Sequence, residues 1–140
     1  MALKQKNREI VFLPKSYTPS EVEPYMNEMH LEYFRNELLT KRNHLQDEWE
    51  VLNGEIHSSA DIDTDMGDRA SRDVVMFSNI KRLETIQHSI TSIDVSLNDI
   101  EYGKYGFCKK TGGEIGIKRL LANPEAKFCV EAQEGVEHEE

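Results

Sequence analysis

The sequence predicts a mainly α fold: a long antiparallel two-helix coiled coil with a small, degenerate zinc-finger-like globular domain. Three observations predict it. Leu83, Ile86, Ile90, Ile93, Leu97 and Ile100 alternate spacings of three and four, which is a heptad seam. Leu31, Leu38, Leu45 and Leu52 recur by sevens, and Phe34, Trp49 and Ile56 extend the same stripe. Beyond Glu101 the pattern changes to glycines, alternating aromatics and two cysteines.

Residues 1–26 read as a loose N-terminal arm, because Pro14, Pro19 and Pro24 each disfavour helix at the residue before them. Asn27 is a good N-cap for a first helix running to about Gly54, and Met26 and Leu31 occupy the two positions of a hydrophobic staple. The second helix is expected from near Asp68, as its N-cap, to just before Gly103, with Val74, Val75, Phe77 and Ile80 broadening its apolar face. Each helix must bury its stripe, and the other helix is the obvious partner. About 30 residues at ~1.5 Å each give a prong on the order of 45 Å long. The coiled coil thus spans 27–101 with an acidic tip near 57–70. Residues 102–134 form the zinc-finger-like domain, with a short helix at Ile117 to Ala122 and short strands around Tyr105 to Thr111 and Lys127 to Cys129. Residues 135–140 are an acidic tail.

Composition excludes several function classes. Among 140 residues, Lys+Arg is 17 and Asp+Glu is 26, a formal charge of −9. Such a chain is a poor general binder of DNA or of anionic membranes, since phosphate affinity comes mostly from Lys and Arg. No apolar run approaches the ~20 residues that span a bilayer, and the N-terminus does not read as a signal peptide. Two cysteines make no disulfide framework, so a reducing cytoplasm is expected. Enzyme activity is disfavoured. Histidines 30, 44, 57 and 88 are scattered, and neither a Walker loop nor a dinucleotide fingerprint occurs.

Two places carry chemistry. The tip string ADIDTDMGDRA gathers Asp61, Asp63, Asp65 and Asp68. A calcium loop starting at Asp61 would need Gly and Glu where Met66 and Arg72 stand. The plain reading is a solvated acidic turn; the functional one is a set of carboxylates presented to a metal-bound or basic target. In the lobe, Cys108 and Cys129 hold the first and third positions of a C-x2-C…C-x2-C zinc frame, while Thr111 and Ala132 hold the second and fourth. Two of four ligand positions are lost. No cofactor is therefore expected, and any zinc would rest on Cys108 and Cys129, with His138 a poor recruit from the tail. The plain reading is two cysteines packed as small hydrophobes. Lys81–Arg82 and Lys118–Arg119 are weak basic clusters, read either as solvated surface or as docking contacts to an acidic partner.

PYMNEMHLEYFRNELL, DMGDRAS and YGKYGFCKKTGGEIGIKRLLANPEAKFC together resemble the DksA/TraR family, from about Tyr25 to Gln133. The resemblance implies a monomer that binds bacterial RNA polymerase and makes no sequence-specific contact with DNA. It implies a coiled coil that enters the polymerase secondary channel with its tip near the catalytic centre. It further implies inhibition at ribosomal RNA promoters, activation at some amino-acid biosynthetic promoters, and reinforcement by ppGpp in the stringent response. Asp65, Asp68 and Ala70 match the family's functional tip residues, and Arg119 matches a basic residue of the globular domain. The chain looks like the cysteine-poor members, which fold this domain without metal. Its core is then expected from Tyr102, Tyr105, Phe107, Ile115, Ile117, Leu120, Leu121 and Phe128. Family positions with basic ppGpp contacts are Ser92, Asn123 and Gln133 here, so weakened ppGpp synergy is expected. Two other classes remain open on residues alone: a coiled-coil adaptor with an unrelated partner, and a thiol redox sensor using Cys108 and Cys129.

Overall fold

A computed structural model describes residues 12–59 and 66–133. Three helices form: α1 (Glu28–Ser59), α2 (Met66–Glu101) and α3 (Ile117–Ala122). The chain divides into two compact units. One is built from the described parts of 1–39 and 93–140, and the other is Thr40–Ser92. No described helix is long and apolar enough to cross a membrane.

α1 starts where the cap chemistry demands. The Asn27 carboxamide oxygen accepts from the His30 backbone N–H at 3.0 Å, which satisfies one orphan amide of the first turn. The helix continues past Gly54 to Ser59. A lone glycine costs a helix only about 1 kcal/mol relative to alanine. The last turn is further tied by Ser58 Oγ donating to the Glu55 carbonyl at 3.2 Å.

In the Thr40–Ser92 unit the helices run antiparallel. Glu48 pairs with Arg82 in a two-point contact, at 2.8 and 2.9 Å, while Glu55, later in α1, lines a groove with Arg72, Met76 and Asn79, earlier in α2. The seam uses Leu83, Ile86 and Ile90 as expected, with Ile86 and Ile90 buried. Toward the start of α2, however, the seam runs through Met76, Asn79 and Arg72, all half-buried. Val74, Val75, Phe77 and Ile80 do not broaden the buried face; all four are exposed. They sit off the three-four spacing that ends at Leu83, so a helix in register cannot turn them inward.

In the other unit, Phe34 and Leu38 of α1 and Ile93 and Ile100 of α2 are all buried core residues. Phe34 touches the rings of Tyr33 and Tyr105, with centroids 5.4 and 5.6 Å away. Residues 12–27 are more than a loose arm. Glu23 organises them: one carboxylate oxygen accepts from the Tyr17 hydroxyl at 2.9 Å, the other from the Ser20 amide and hydroxyl at 3.0 Å, and buried His30 Nε2 lies 3.3 Å from it. Tyr17 also meets the Tyr33 ring edge-on.

Those bonds, the Ser20 amide foremost, hold the Glu23 carboxyl at about 2, against its ordinary 4.5. The folded form therefore binds its proton more weakly than the unfolded chain. The stabilisation is complete above 4.5 and fades as pH falls toward 2. Acid is expected to release the arm in that window, before any loss of helix. NMR of the Tyr17 ring against pH checks this, with Glu23→Gln as the variant whose ring signals lack the transition.

Candidate functional site

The tip is formed by the end of α1 and the start of α2. Asp68 falls in the first turn of α2, two residues inside it, so it is not the N-cap that its sequence position suggests. The helix opens earlier, at Met66. Its carboxylate still suits that turn, because the free amides there carry partial positive charge. Asp68 and Ala70 are both exposed. Asp61, Asp63 and Asp65 lie outside the described residues.

The lobe begins where α2 ends. The Lys104 amide donates to the Asp99 carbonyl at 2.8 Å, and Lys109 Nζ meets the Asp99 carboxylate at 2.6 Å. Instead of the expected strands, the described lobe pairs through one isolated antiparallel bridge, Phe107 to Glu114. Gly106, Gly112 and Gly116 have positive φ, so the backbone turns too often for a ladder to extend. α3 spans the six residues expected of it.

A tight turn surrounds Cys108. Its amide donates to the Gly113 carbonyl at 2.7 Å, and the Gly112 amide donates to the Cys108 carbonyl at 2.9 Å. Burial pushes the Cys108 thiol up. The Thr111 hydroxyl and the backbone N–H groups of Cys129, Thr111 and Lys110 donate to the sulfur and outweigh burial, bringing it down from 9.0 to about 6. This nest of donors favours the thiolate over the thiol.

The other frame positions do not complete a metal site. Thr111 Oγ1 accepts from the Gly113 amide at 3.2 Å and lies 3.8 Å from Cys129 Sγ. The methyl of Ala132 is buried. Two thiols fall short of the four ligands of a structural C4 zinc. Among the described residues, no group of three or more His, Cys, Asp or Glu is placed to hold a metal. His138 lies outside the described residues.

The lobe core differs from expectation. Tyr105, Ile115, Ile117 and Leu120 are buried as expected, and Cys108 and Ala132 join them. Tyr102, Phe107 and Leu121 are exposed, and Phe128 is half-buried. Phe107 instead meets the ring of Tyr25, at 5.7 Å. Tyr25 clasps the lobe from the arm: its hydroxyl donates to the Gly106 carbonyl at 2.5 Å and accepts from the Gly116 amide at 3.1 Å. A β-carbon at Gly106 would press to 2.9 Å against Met26, so glycine permits this approach. No local signal marks Tyr25, whose partners lie 81 and 91 residues away.

The basic candidates divide. Lys81 lies over the Phe77 ring at 5.4 Å, and Arg82 is engaged by Glu48. Lys118 is exposed, whereas Arg119 Nε donates to the Phe128 carbonyl at 2.9 Å and so ties α3 to the segment before Cys129.

Comparison with known proteins adds an independent line. A family model described as "Prokaryotic dksA/traR C4-type zinc finger" matches residues 103–138. The protein named "RNA polymerase-binding transcription factor DksA" of Caulobacter vibrioides is 37% identical over 131 residues, covering 93% of this chain and 92% of that protein. Its namesake from Escherichia coli K12 is 32% identical over 117 residues, covering 84% and 78%. A solved structure, transcription factor DksA2 from Pseudomonas aeruginosa, matches with a TM-score of 0.74 at 35% identity, covering 82% of this chain and 88% of that one. Helices and lobe alike are thus matched, and this chain belongs to the DksA/TraR family.

Proposed function

We propose that this chain binds bacterial RNA polymerase and regulates transcription initiation as a binding factor rather than an enzyme, in the cytoplasm. One observation carries the reading: a relative whose name states polymerase binding matches 93% of the chain at 37% identity. The physical design agrees with it. Two antiparallel helices present exposed Asp68 and Ala70 on a narrow end, and the acidic balance of −9 keeps the factor from competing for nucleic acid. On this reading the tip enters the secondary channel and Asp65, Asp68 and Ala70 act beside the catalytic centre. Of the basic residues, Lys118 is the better docking candidate, since Arg119 and Arg82 already hold internal partners. The lobe folds without zinc.

The test is transcription in vitro with the cognate polymerase at a ribosomal RNA promoter and an amino-acid biosynthetic promoter. Inhibition of the first and activation of the second are expected. Ser92, Asn123 and Gln133 offer no formal positive charge to a phosphate. Titrated ppGpp is therefore expected to change the factor's effect less than about twofold, well under the tenfold that one charge-assisted contact of 1.4 kcal/mol would give. A strong shift that requires the factor would contradict weak synergy.

A further inference from the structure

We infer that Cys108 and Cys129 form a two-coordinate site for a soft monovalent cation, with copper(I) as the type case. Distant in sequence, the two cysteines are brought together by the lobe. The Cys129 amide donates to the Cys108 sulfur, and so does the Thr111 hydroxyl. The same Thr111 oxygen lies 3.8 Å from Cys129 Sγ, so the two sulfurs share one hydroxyl as a neighbour. Beside them the Lys109 amide donates to the Lys127 carbonyl at 2.8 Å, which fastens the two turns to one another.

A four-coordinate ion finds too little here. Structural zinc takes four ligands, and among the described residues no group of three or more His, Cys, Asp or Glu is placed to supply them. An ion that binds two thiolates in a line needs no third. Copper(I) is such an ion, and its softness matches sulfur rather than oxygen. The residues that spoil the frame for zinc leave this coordination undisturbed. Cys129 opens a helical turn, closed by the Gln133 amide on the Cys129 carbonyl at 2.9 Å, and buried Ala132 lies within that turn. Its methyl brings no oxygen ligand. Thr111 Oγ1 is already engaged, accepting from the Gly113 amide at 3.2 Å.

Charge and access fit the same ion. Two thiolates and one monovalent cation make a complex of charge −1. The amides of Lys110, Thr111 and Cys129 that donate to the Cys108 sulfur offset it, as hydrogen-bond partners of metal ligands do. Cys129 is half-buried and gives the ion its way in, while Cys108, 3% exposed, holds it away from water. Binding exchanges two thiol protons for the ion: Cu+ and 2 RSH give Cu(SR)2− and 2 H+, with no change of oxidation state.

The experiment mixes the reduced full-length chain, without oxygen, with the coloured copper(I)–bicinchoninate complex and follows transfer of the ion by loss of colour. Glutathione is present to strip loosely held copper. Wild type should take one copper(I) per chain, and X-ray absorption should count two sulfur neighbours. Cys108→Ser and Cys129→Ser should each weaken binding by more than about a hundredfold, beyond the roughly 10–100-fold that losing a ligand's own hydrogen-bond partner costs. Circular dichroism checks that each variant is folded, and half-buried Cys129 decides should the Cys108 variant unfold. Thr111→Val keeps both sulfurs and should still hold the ion. No transfer to wild type overturns the site, as does undiminished transfer to a serine variant. Loss in Thr111→Val as deep as in the serine variants overturns two-coordination. Three or four sulfur neighbours would mean an ion shared between chains and overturn the single-chain site. Zinc held as firmly through the same cysteines overturns the preference for a soft monovalent ion. No polymerase enters the assay, so failure here leaves the polymerase reading untouched.

Discussion

Asp68→Asn is expected to bind polymerase with near wild-type affinity and to lose regulation of initiation by at least about tenfold at equal occupancy, the equivalent of one charge-assisted contact. One carboxylate has two separable roles here. Structurally, Asp68 sits in the first turn of α2, where the free helix amides carry partial positive charge. A carboxylate there contributes about 0.3–1 kcal/mol, so its loss leaves the long helix formed. Asp68 and Ala70 are both exposed near the start of α2. If its charge acts on the polymerase side, occupancy and effect come apart in the variant. Quantitative transcription at a ribosomal RNA promoter, with binding measured in parallel, checks this. Binding with undiminished inhibition would make Asp68 a helix-start residue and nothing more.

Cys108→Ala is expected to cost the lobe about 1–3 kcal/mol. The Cys108 side chain is buried, and its sulfur accepts from the amides of Lys110, Thr111 and Cys129 and from the Thr111 hydroxyl. Removing the acceptor leaves those donors, on exposed Lys110 and Thr111 and half-buried Cys129, to water, so each lost bond costs only about 0.5–1.5 kcal/mol. Whole domains are stable by only about 5–15 kcal/mol. Urea unfolding measures the loss. Cys108→Ser should recover part of it, because a hydroxyl oxygen accepts from the same amides. The pH dependence follows from the same nest. The folded thiol titrates at about 6 and the ordinary thiol at 9.0, so the unfolded chain binds more protons between them. Stability should rise with pH across that window and fall as pH drops through about 6. The serine variant should lose this slope. Wild-type stability in Cys108→Ala would mean that the nest holds nothing together.

The nest surrounds one of the two cysteines that this chain keeps of a four-cysteine frame. The turn closed by Cys108, Gly112 and Gly113 is intact, and a threonine hydroxyl and an alanine methyl stand where the frame would place two thiolates. Tyr25 adds a clasp, joining the turn at Gly106 to the start of α3 at Gly116.

Local signals in the sequence were strong for the helices. Asn27 caps α1, the seam from Leu83 to Ile100 points inward, and α3 occupies its expected six residues. Those features depend on neighbours within a turn or two. Failures came where a distant partner or competing pattern decides. Gly54 reads as a stop, but the helix outweighs one glycine. Val74 and Phe77 read as a broadening of the apolar face, yet register with Leu83 turns them outward. Glu23, in a proline-punctuated stretch, gives no hint that Tyr17, Ser20 and His30 converge on it. At the candidate site, the tip carboxylates and the half-frame of cysteines were legible as residue types. The donor nest around Cys108 was not, because it is built largely from backbone amides that no side-chain pattern encodes.

The most direct test puts a photo-crosslinking amino acid at Ala70, an exposed position in α2, and maps its products on the cognate polymerase. The account predicts crosslinks confined to segments that line the secondary channel beside the catalytic centre. Crosslinks only to the outer surface of the enzyme, or none from a chain shown to be bound, would contradict it.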